Sequence, residues 1–155
     1  MQNRQNQPRI TPARLSTRII LPRKLLEKII AHSRSALPNE ACGLFAGHIN
    51  EADKRVEEVY CLKNIDESPE HFSMSGEEQF AAIADMRKRG LTLLGNFHSH
   101  PSTPARPSEE DIRLAFDSSL SYIIVSLADA EPALKSFNIN KNENSAAEET
   151  VEYTS

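Results

Sequence analysis

The stretch GNFHSHPSTPARPSEED, residues 95–111, decides how the rest of the chain is interpreted. It follows an apolar run and contains His98 and His100, two positions apart. Side chains two apart on a β-strand point to the same side, so both imidazoles are expected to face one point. A proline-rich turn follows, and Ser108 then begins a predicted helix that carries Asp111. The segment therefore predicts that two nitrogens and one carboxylate oxygen converge.

Two imidazoles and one carboxylate are the ligands expected of a catalytic zinc site. Catalytic zinc uses three protein ligands and leaves a fourth position to water, whereas structural sites usually have four protein ligands, often cysteines. Ser99 lies between the histidines and is expected to face away from them, and a Ser-His-Asp triad requires a different arrangement. Metal-assisted hydrolysis is therefore favoured over a serine hydrolase and over a structural zinc.

Ser108 and Asp111 also have a purely structural interpretation. Serine is a preferred helix N-cap, and an acid three residues later suits the positive end of the helix. An isolated His-x-His pair is likewise common at surfaces and in cores. The two interpretations are compatible, because the helix start can be what aims Asp111. The occurrence of all these features within fourteen residues favours the metal site.

The segment HSHPSTPARPSEED fits the pattern HxHP, six residues, then SxxD, and so resembles the JAMM (MPN-plus) metalloprotease family. Upstream, PNEACGLFAGH resembles the part of the family pattern that supplies a glutamate, here Glu40. The similarity extends from about residue 21 to residue 151. It implies the α/β fold of the family, a single-domain mixed β-sheet flanked by helices (the JAMM/cytidine-deaminase-like sandwich).

The resemblance also implies a set of roles. Zn²⁺ would be bound by His98, His100 and Asp111, and would activate water for attack on an amide or isopeptide bond without a covalent enzyme intermediate. Glu40 would take the water proton and deliver it to the departing nitrogen. Ser108 would donate a hydrogen bond to the developing oxyanion.

The expected partner is a ubiquitin-like or sulfur-carrier protein that ends in Gly-Gly. The family acts next to the C-terminal glycine of such folds, and short bacterial members are associated with the release of an amino acid such as cysteine from a carrier. A groove that binds an extended Gly-Gly tail by strand addition would fit. No long insertion follows Asp111, which favours small carriers over polyubiquitin chains.

Three alternatives from the same fold remain. The first is a non-catalytic binding module, although such relatives usually lack the ligands that are present here. The second is the RadC-type branch, which is associated with DNA. The net charge of −4 and the absence of a basic stripe argue against a nucleic-acid partner. The third is a small-molecule amidase with the same zinc chemistry.

Length and composition indicate one soluble globular domain. The chain has 155 residues, of which 39% are hydrophobic and 26% charged. Residues 1–16 are polar and predicted to form a flexible N-terminal extension, and residues 17–155 the JAMM domain. No secretory signal and no apolar run long enough to cross a membrane are recognised. Cys42 and Cys61 are expected to be reduced core residues of a cytoplasmic protein.

Hydrophobic periodicity predicts alternating strands and helices. The first strand is expected at 17–21, followed by a helix that starts at Pro22 and places Leu25 and Ile29 in the core. The other predicted strands are ACGLFAG from residue 41, where Gly43 and Gly47 indicate a close approach of another backbone segment, then 55–63, 91–97, 121–129, 133–140 and 150–153. The other predicted helices span 75–90, with Phe80, Ile83 and Ala84 on the apolar face, and 109–117.

Three residues outside the main motif receive specific predictions. His32 lies just past an apolar helical stripe and is predicted to be at the surface. His71 and Phe72 lie in a loop, residues 64–75, that could line a substrate groove. An exposed histidine beside an anchoring phenylalanine is the favoured interpretation of this pair.

Overall fold

A computed structural model describes residues 9–12 and 17–155. The strands are β1 (Arg9–Pro12), β2 (Arg18–Pro22), β3 (Cys42–Asn50), β4 (Asp53–Leu62), β5 (Thr92–His100), β6 (Ser121–Ser126), β7 (Ala133–Asn140) and β8 (Ser145–Thr154). The helices are α1 (Arg23–Ala36), α2 (Gly76–Lys88) and α3 (Glu109–Arg113), and a 3₁₀ turn spans Lys141–Glu143.

The strands form one mixed sheet in the order β1-β8-β2-β4-β3-β5-β6-β7. The β5–β6, β2–β4, β2–β8 and β1–β8 pairs are parallel, and the other neighbours are antiparallel. Because β8 also pairs with β7, the sheet curls and closes on itself. The predicted α/β class, with one mixed sheet and flanking helices, is confirmed.

The two faces of β5 have different roles. Phe97 is fully buried in the core under α1, together with Ile29 and Ile123. Full burial of a side chain of this size contributes about 2 kcal/mol to stability. The alternate residues of β5, including His98 and His100, face the side where α3 packs on β6 and β7. Strand alternation therefore separates a dry core from the predicted site.

Glycine is required where β5 meets its neighbours. A Cβ atom on Gly95 of β5 would collide with the carbonyl oxygen of Ser121 on β6, and one on Gly43 of β3 would collide with the ring of Phe97 on β5. The sequence prediction that the backbone around Gly43 approaches another segment closely is confirmed. These contacts bring the strand that carries the histidines tightly against β3 and β6.

Three predicted element boundaries on the C-terminal side are wrong, and the first is the strand expected over 121–129, which ends at Ser126. The helix expected over 109–117 ends at Arg113, because Asp117 accepts hydrogen bonds from the backbone and hydroxyl of Ser119 and forms a turn instead. The last strand, expected over 150–153, begins at Ser145. Its polar residue Glu149 is buried and hydrogen-bonded to Ser121 and Ser136. The first half of β8 is not predicted from the sequence because its residues are mostly polar.

Three predictions for the helices are also corrected. Pro22 is the N-cap of α1 and the last residue of β2, so the helix begins one residue later than expected. The buried face of α2 is formed by Ala82 and Met86, whereas Phe80 is 75% exposed. His32 is half-buried rather than at the surface, and its Nε2 lies 3.1 Å from the carbonyl oxygens of both Cys42 and Leu62.

The remaining predictions concern the two cysteines, the N-terminal extension and membrane-spanning segments. Cys42 and Cys61 are free thiols, as predicted, but only Cys42 is buried in the core, whereas Cys61 is half-buried. The predicted N-terminal extension lies outside the described residues except for Arg9–Pro12, which pair with β8. Within the described part of the chain, no helix is long and apolar enough to cross a membrane.

Candidate metal centre

Three donor atoms, from buried His98 and His100 and half-buried Asp111, converge at the C-terminal end of β5. The Nε2 atoms of His98 and His100 are 3.1 Å apart, and each lies 3.2 Å from Oδ2 of Asp111. We call this group the three-donor cluster. Among the described residues it is the one group of three or more such side chains with suitable atoms this close together. The predicted convergence of these side chains is therefore observed in the structure.

His100 is oriented by the proline-rich turn that follows it. Its Nδ1 lies 2.8 Å from the carbonyl oxygen of Pro104 and donates a hydrogen bond to it. With the proton on Nδ1, the lone pair of Nε2 is directed at Asp111 and His98. This arrangement, in which a backbone carbonyl sets the histidine tautomer, is typical of metal-binding histidines.

His98 is held differently, by ring packing. The ring of Phe72 stacks on it with a centroid separation of 4.7 Å and an interplanar angle of 20°. His98 Nδ1 is buried and has no hydrogen-bond partner among the described residues. One histidine of the cluster is therefore fixed by a hydrogen bond and the other by an aromatic contact.

The start of α3 places the carboxylate. Ser108 Oγ accepts a hydrogen bond from the backbone N–H of Asp111 at 3.0 Å, and Asp111 Oδ2 accepts one from the backbone N–H of Ser108 at 2.9 Å. This reciprocal capping box fixes the side chain of Asp111 toward β5. The structural interpretation of Ser108 and Asp111 is therefore correct, and it is also the means by which Asp111 reaches the cluster.

Glu40 lies in the loop before β3 and is 6% exposed. Burial raises the pKa of its carboxyl to about 7, against the opposing attraction of His98 and His100. A carboxyl group with a pKa near the working pH can both accept and release a proton. The charges of His98, His100 and Asp111 act on this carboxyl group, so Glu40 lies near the three-donor cluster.

Two side chains hold the segment that carries Glu40. Ser99 Oγ accepts a hydrogen bond from the backbone N–H of Ala41 at 2.8 Å, so Ser99 faces away from the other two β5 residues as predicted. On the opposite side, Asn64 Nδ2 donates to the carbonyl oxygens of Glu40 at 3.0 Å and of His71 at 2.9 Å. Asn64 therefore ties Glu40 to the loop that covers the histidines.

That loop, residues 64–75, forms a strap across the site. His71 is exposed and its Nδ1 lies 2.7 Å from Oε2 of Glu110 on α3. Phe72 anchors the strap on His98. The favoured prediction of an exposed histidine beside an anchoring phenylalanine is confirmed, and the surface to which Phe72 is anchored is the cluster itself.

The three-donor cluster fits a zinc ion. Zn²⁺ bonded to imidazole and carboxylate at about 2.0–2.1 Å in tetrahedral geometry separates its ligand atoms by about 3.3 Å. The observed separations of 3.1 and 3.2 Å are close to this value. Although burial raises it, positive charge at His98 and the hydrogen bond from the backbone N–H of Ser108 hold the pKa of Asp111 far below its usual range. An ionised carboxylate beside two imidazoles is a suitable donor set for zinc.

Comparison with known proteins identifies the family. A family model described as prokaryotic homologs of the JAB domain matches residues 22–140. This chain belongs to that family. A CysO-cysteine peptidase from Mycobacterium tuberculosis is 31% identical to this chain over 111 residues, which cover 72% of this chain and 75% of the peptidase. The predicted resemblance is thus confirmed at the level of the family.

Two further similarities place the JAB domain among solved and curated proteins. A probable TtuB-protein conjugate cleaving protease from Thermus thermophilus is 37% identical over 98 residues, 63% of each chain. The solution structure of a protein from Desulfitobacterium hafniense matches with a TM-score of 0.81 at 56% identity, and the match covers 88% of this chain and 92% of that one. The relatives from Mycobacterium tuberculosis and Thermus thermophilus are both named as proteases or peptidases.

Three residues around the three-donor cluster are not predicted from the sequence: Asn64 and Ser99, described above, and Asn96, which lines a small cavity together with His98 and whose buried Oδ1 has no hydrogen-bond partner among the described residues. Asn64 gives no signal, because asparagine in a polar loop is ordinary. Ser99 was assigned only as facing away, without its bond to Ala41. Asn96 did give a signal that was overlooked, since it is a polar residue in an apolar strand two positions before His98 and therefore on the same face.

Proposed function

We propose that this protein is a zinc-dependent peptidase or isopeptidase that hydrolyses the amide bond after the C-terminal Gly-Gly of a ubiquitin-like or sulfur-carrier protein. The observation that carries the proposal is the three-donor cluster, whose atoms are separated by 3.1–3.2 Å. Three protein donors next to a buried carboxyl group form an open site suited to hydrolysis.

His98, His100 and Asp111 would hold the metal. Zinc bound by such ligands polarises an amide carbonyl and makes water acidic enough to react near neutral pH. The protein supplies the fixed geometry: Pro104 orients His100, Phe72 packs on His98, and the capping box of α3 aims Asp111.

Glu40 would carry the proton. In hydrolysis the oxygen of water bonds to the carbonyl carbon, the C–N bond breaks, and one water proton is transferred to the departing nitrogen. Glu40, with a pKa of about 7, is suited to accept that proton and release it again. Its backbone is held by Asn64, which limits the movement of the carboxyl group during the two transfers.

Ser108 would stabilise the oxyanion. Its oxygen already accepts the N–H of Asp111, which occupies a lone pair and leaves the hydroxyl proton free to be donated. One such donor is worth about 3 kcal/mol in comparable sites. The same residue therefore serves both the helix start and the reaction.

The partner assignment is supported by the relatives and by the strap. The relatives are named for the cleavage of CysO-cysteine and of TtuB conjugates. Phe72 covers one side of His98, which narrows the approach to the cluster. A Gly-Gly tail has no side chains to obstruct such an approach.

The test uses a small sulfur-carrier protein that ends in Gly-Gly, extended by a few residues, with zinc-loaded enzyme. Mass spectrometry is expected to show release of the extension immediately after the second glycine, and Glu40→Gln is expected to retain zinc but not this activity. Cleavage of small amides alone would contradict the partner assignment. A protein that binds zinc and the carrier without cleaving it would be a binding module instead.

A further inference from the structure

His32 on α1 contacts three neighbouring strands where β3 begins and β4 ends. Its Nε2 atom lies 3.1 Å from the carbonyl oxygens of both Cys42 on β3 and Leu62 on β4. Its ring also meets the ring of Phe97 on β5 edge to face, with the centroids 6.1 Å apart and an interplanar angle of 81°. One half-buried side chain therefore joins α1 to β3, β4 and β5.

The two hydrogen bonds of His32 define which ring nitrogen carries the proton. A carbonyl oxygen can only accept, so Nε2 must donate, and it shares its proton between the two oxygens. Cys42 and Leu62 lie directly opposite each other at the end of the β3–β4 pairing. The imidazole therefore spans this terminal residue pair and holds both strand ends against α1.

Both carbonyl contacts lie two residues from a segment of the candidate metal centre. Cys42 is two residues after Glu40. Leu62 is two residues before Asn64, which donates a hydrogen bond to the Glu40 carbonyl oxygen and begins the strap. The strand ends that His32 holds are therefore the points from which the Glu40 segment and the strap extend.

The ring contact of His32 reaches the strand that carries two of the candidate metal ligands. Phe97 directly precedes His98 on β5, and Cys42 is the register partner of His98 in the β3–β5 pairing. The same imidazole thus contacts the strand of the histidines and the strand that follows Glu40. A change at His32 is expected to alter the position of one relative to the other.

The adjacent residue on α1 shows a different use of a polar side chain. Ser33 is fully buried, and its Oγ donates a hydrogen bond to the carbonyl oxygen of Ile29 at 2.8 Å. That bond begins and ends within the helix, as is common for serine in helices. The hydrogen bonds of His32 leave the helix and end on two strands, so they do not serve the helix itself.

We propose that His32 is a positioning residue, which places Glu40 relative to the metal ligands through its hydrogen bonds to Cys42 and Leu62. Its contacts are with two backbone carbonyl groups and a phenylalanine ring, so it acts through other residues. The catalytic part of the inference rests on the proposed function, because it concerns the proton that Glu40 would carry. A misplacement of about 1 Å in a reacting group can slow a reaction by about a hundredfold.

The test uses two substitutions of His32 and one matched control. His32→Gln keeps a nitrogen donor at the same number of bonds from Cα, and its amide has one hydrogen for each carbonyl oxygen. His32→Leu keeps an apolar contact with Phe97 but has no donor, and His32→Met takes its place if the leucine variant does not fold. Ser33→Ala is the control, because it removes a buried hydrogen bond that does not reach the strands.

The first readout is turnover of the extended carrier protein at a temperature where every variant is folded. His32→Leu is expected to lower kcat by about tenfold or more with little change in KM, because Glu40 is displaced while substrate binding is retained. His32→Gln should restore most of this loss, and Ser33→Ala should show none. Zinc content should be the same in all the proteins.

The second readout is hydrogen exchange of the metal-free protein, which does not depend on activity. The backbone N–H of Glu40 donates to the carbonyl oxygen of Ser68 at 2.8 Å, and that of Leu127 donates to the carbonyl oxygen of His100 at 3.0 Å. His32→Leu is expected to raise the ratio of the Glu40 rate to the Leu127 rate by about tenfold, since only the Glu40 segment opens more often. Ser33→Ala should leave this ratio unchanged.

The outcomes separate this inference from the proposed function. An unchanged exchange ratio in His32→Leu would overturn the positioning role, whether or not the protein is a peptidase. A raised ratio with normal kcat, or a kcat that His32→Gln fails to restore, would also overturn it. If the wild type cleaved no carrier, the proposed function would fail, and the exchange ratio would still decide whether His32 holds the Glu40 segment. A raised ratio and a lowered kcat in His32→Leu, both restored in His32→Gln, would support the inference.

Discussion

Two buried polar clusters in this molecule differ in how their charges are satisfied. In the Lys54 cluster (Lys54, Ser121, Ser136 and Glu149), the ammonium donates to Ser121 Oγ at 2.8 Å, and both serine hydroxyls donate to Glu149. Every interaction there joins a donor to an acceptor. In the three-donor cluster the lone pairs of three side chains are directed toward one point instead. The first arrangement is complete within the protein, whereas the second is suited to bind a cation.

The difference shows how buried polar residues with a structural role are distinguished from those that bind a ligand. Both clusters are buried, and burial lowers the pKa of Lys54 and raises the pKa of Glu149. Burial and perturbed pKa values are therefore insufficient to mark a functional site. The informative feature is whether each acceptor has a hydrogen-bond donor within the cluster. In the Lys54 cluster the acceptors have donors, whereas in the three-donor cluster three acceptors face one another.

The largest expected effect is on turnover. Glu40→Gln keeps the size and burial of the side chain but removes its ability to accept a proton, so kcat is expected to fall by about a thousandfold, within the range typical of general acid–base catalysis. Zinc content, measured by elemental analysis, should be unchanged. Retention of normal turnover would mean that Glu40 does not carry the proton.

The next effect tests the Lys54 cluster. Lys54→Met is expected to destabilise the protein by about 3 kcal/mol in urea unfolding, because Glu149 is left buried without a positive partner. The double variant Lys54→Met/Glu149→Gln should recover part of this loss. Zinc stoichiometry of the folded fraction is expected to be normal in both. If Lys54→Met were as stable as the wild type, the charge of Lys54 would not be needed to stabilise the buried Glu149.

A pH-dependent effect is expected for the metal-free protein. The folded-state pKa of Glu40, about 7, is above the unfolded value of 4.5, so ionisation of this carboxyl group opposes folding. The stability of the wild type is therefore expected to fall as pH rises from 4.5 to about 7. Glu40→Gln lacks this penalty and should be more stable than the wild type by about 2 kcal/mol at pH 8 but not at pH 4. Thermal or urea unfolding at both pH values checks the sign. If Glu40→Gln stabilised the protein relative to the wild type more at pH 4 than at pH 8, the predicted sign would be contradicted.

The smallest expected effect concerns Asn64. Asn64→Ala removes hydrogen bonds that tie the Glu40 backbone to the strap, and should lower stability by about 1–2 kcal/mol. As a positioning residue, Asn64 is expected to affect kcat by about tenfold with little change in KM. Asn64→Asp keeps the acceptor for the N–H groups of Asp66 and Ser73 but loses the donors. If Asn64→Asp matched the wild type in kcat, the bond to Glu40 would have no catalytic role.

The local parts of the site could be predicted from the sequence and the long-range parts could not. The spacing of His98 and His100 on a strand, and of Ser108 and Asp111 at a helix start, follows from regular backbone geometry over a few residues. The bond of Asn64 to Glu40 joins residues 24 apart and depends on how the strap packs. Sequence periodicity carries no information about such a contact.

The fold shows the same division. The apolar stripes predicted α1 and most strands correctly, because burial on one face imposes a period. The first half of β8 was missed because its buried acid is paired with Ser121 and Ser136, which are distant in sequence. The exposed Phe80 misled the assignment of the α2 face, since an apolar residue at the surface breaks the usual pattern.

The most direct test of the account is a titration of metal-free protein with zinc, followed by calorimetry, for the wild type and for Asp111→Ala. If the three donors form an open metal site, the wild type will bind about one zinc per chain and Asp111→Ala will bind it at least tenfold more weakly while remaining folded. Absence of zinc binding by the wild type, or equal affinity in the two proteins, would contradict the claim that these side chains hold a catalytic metal.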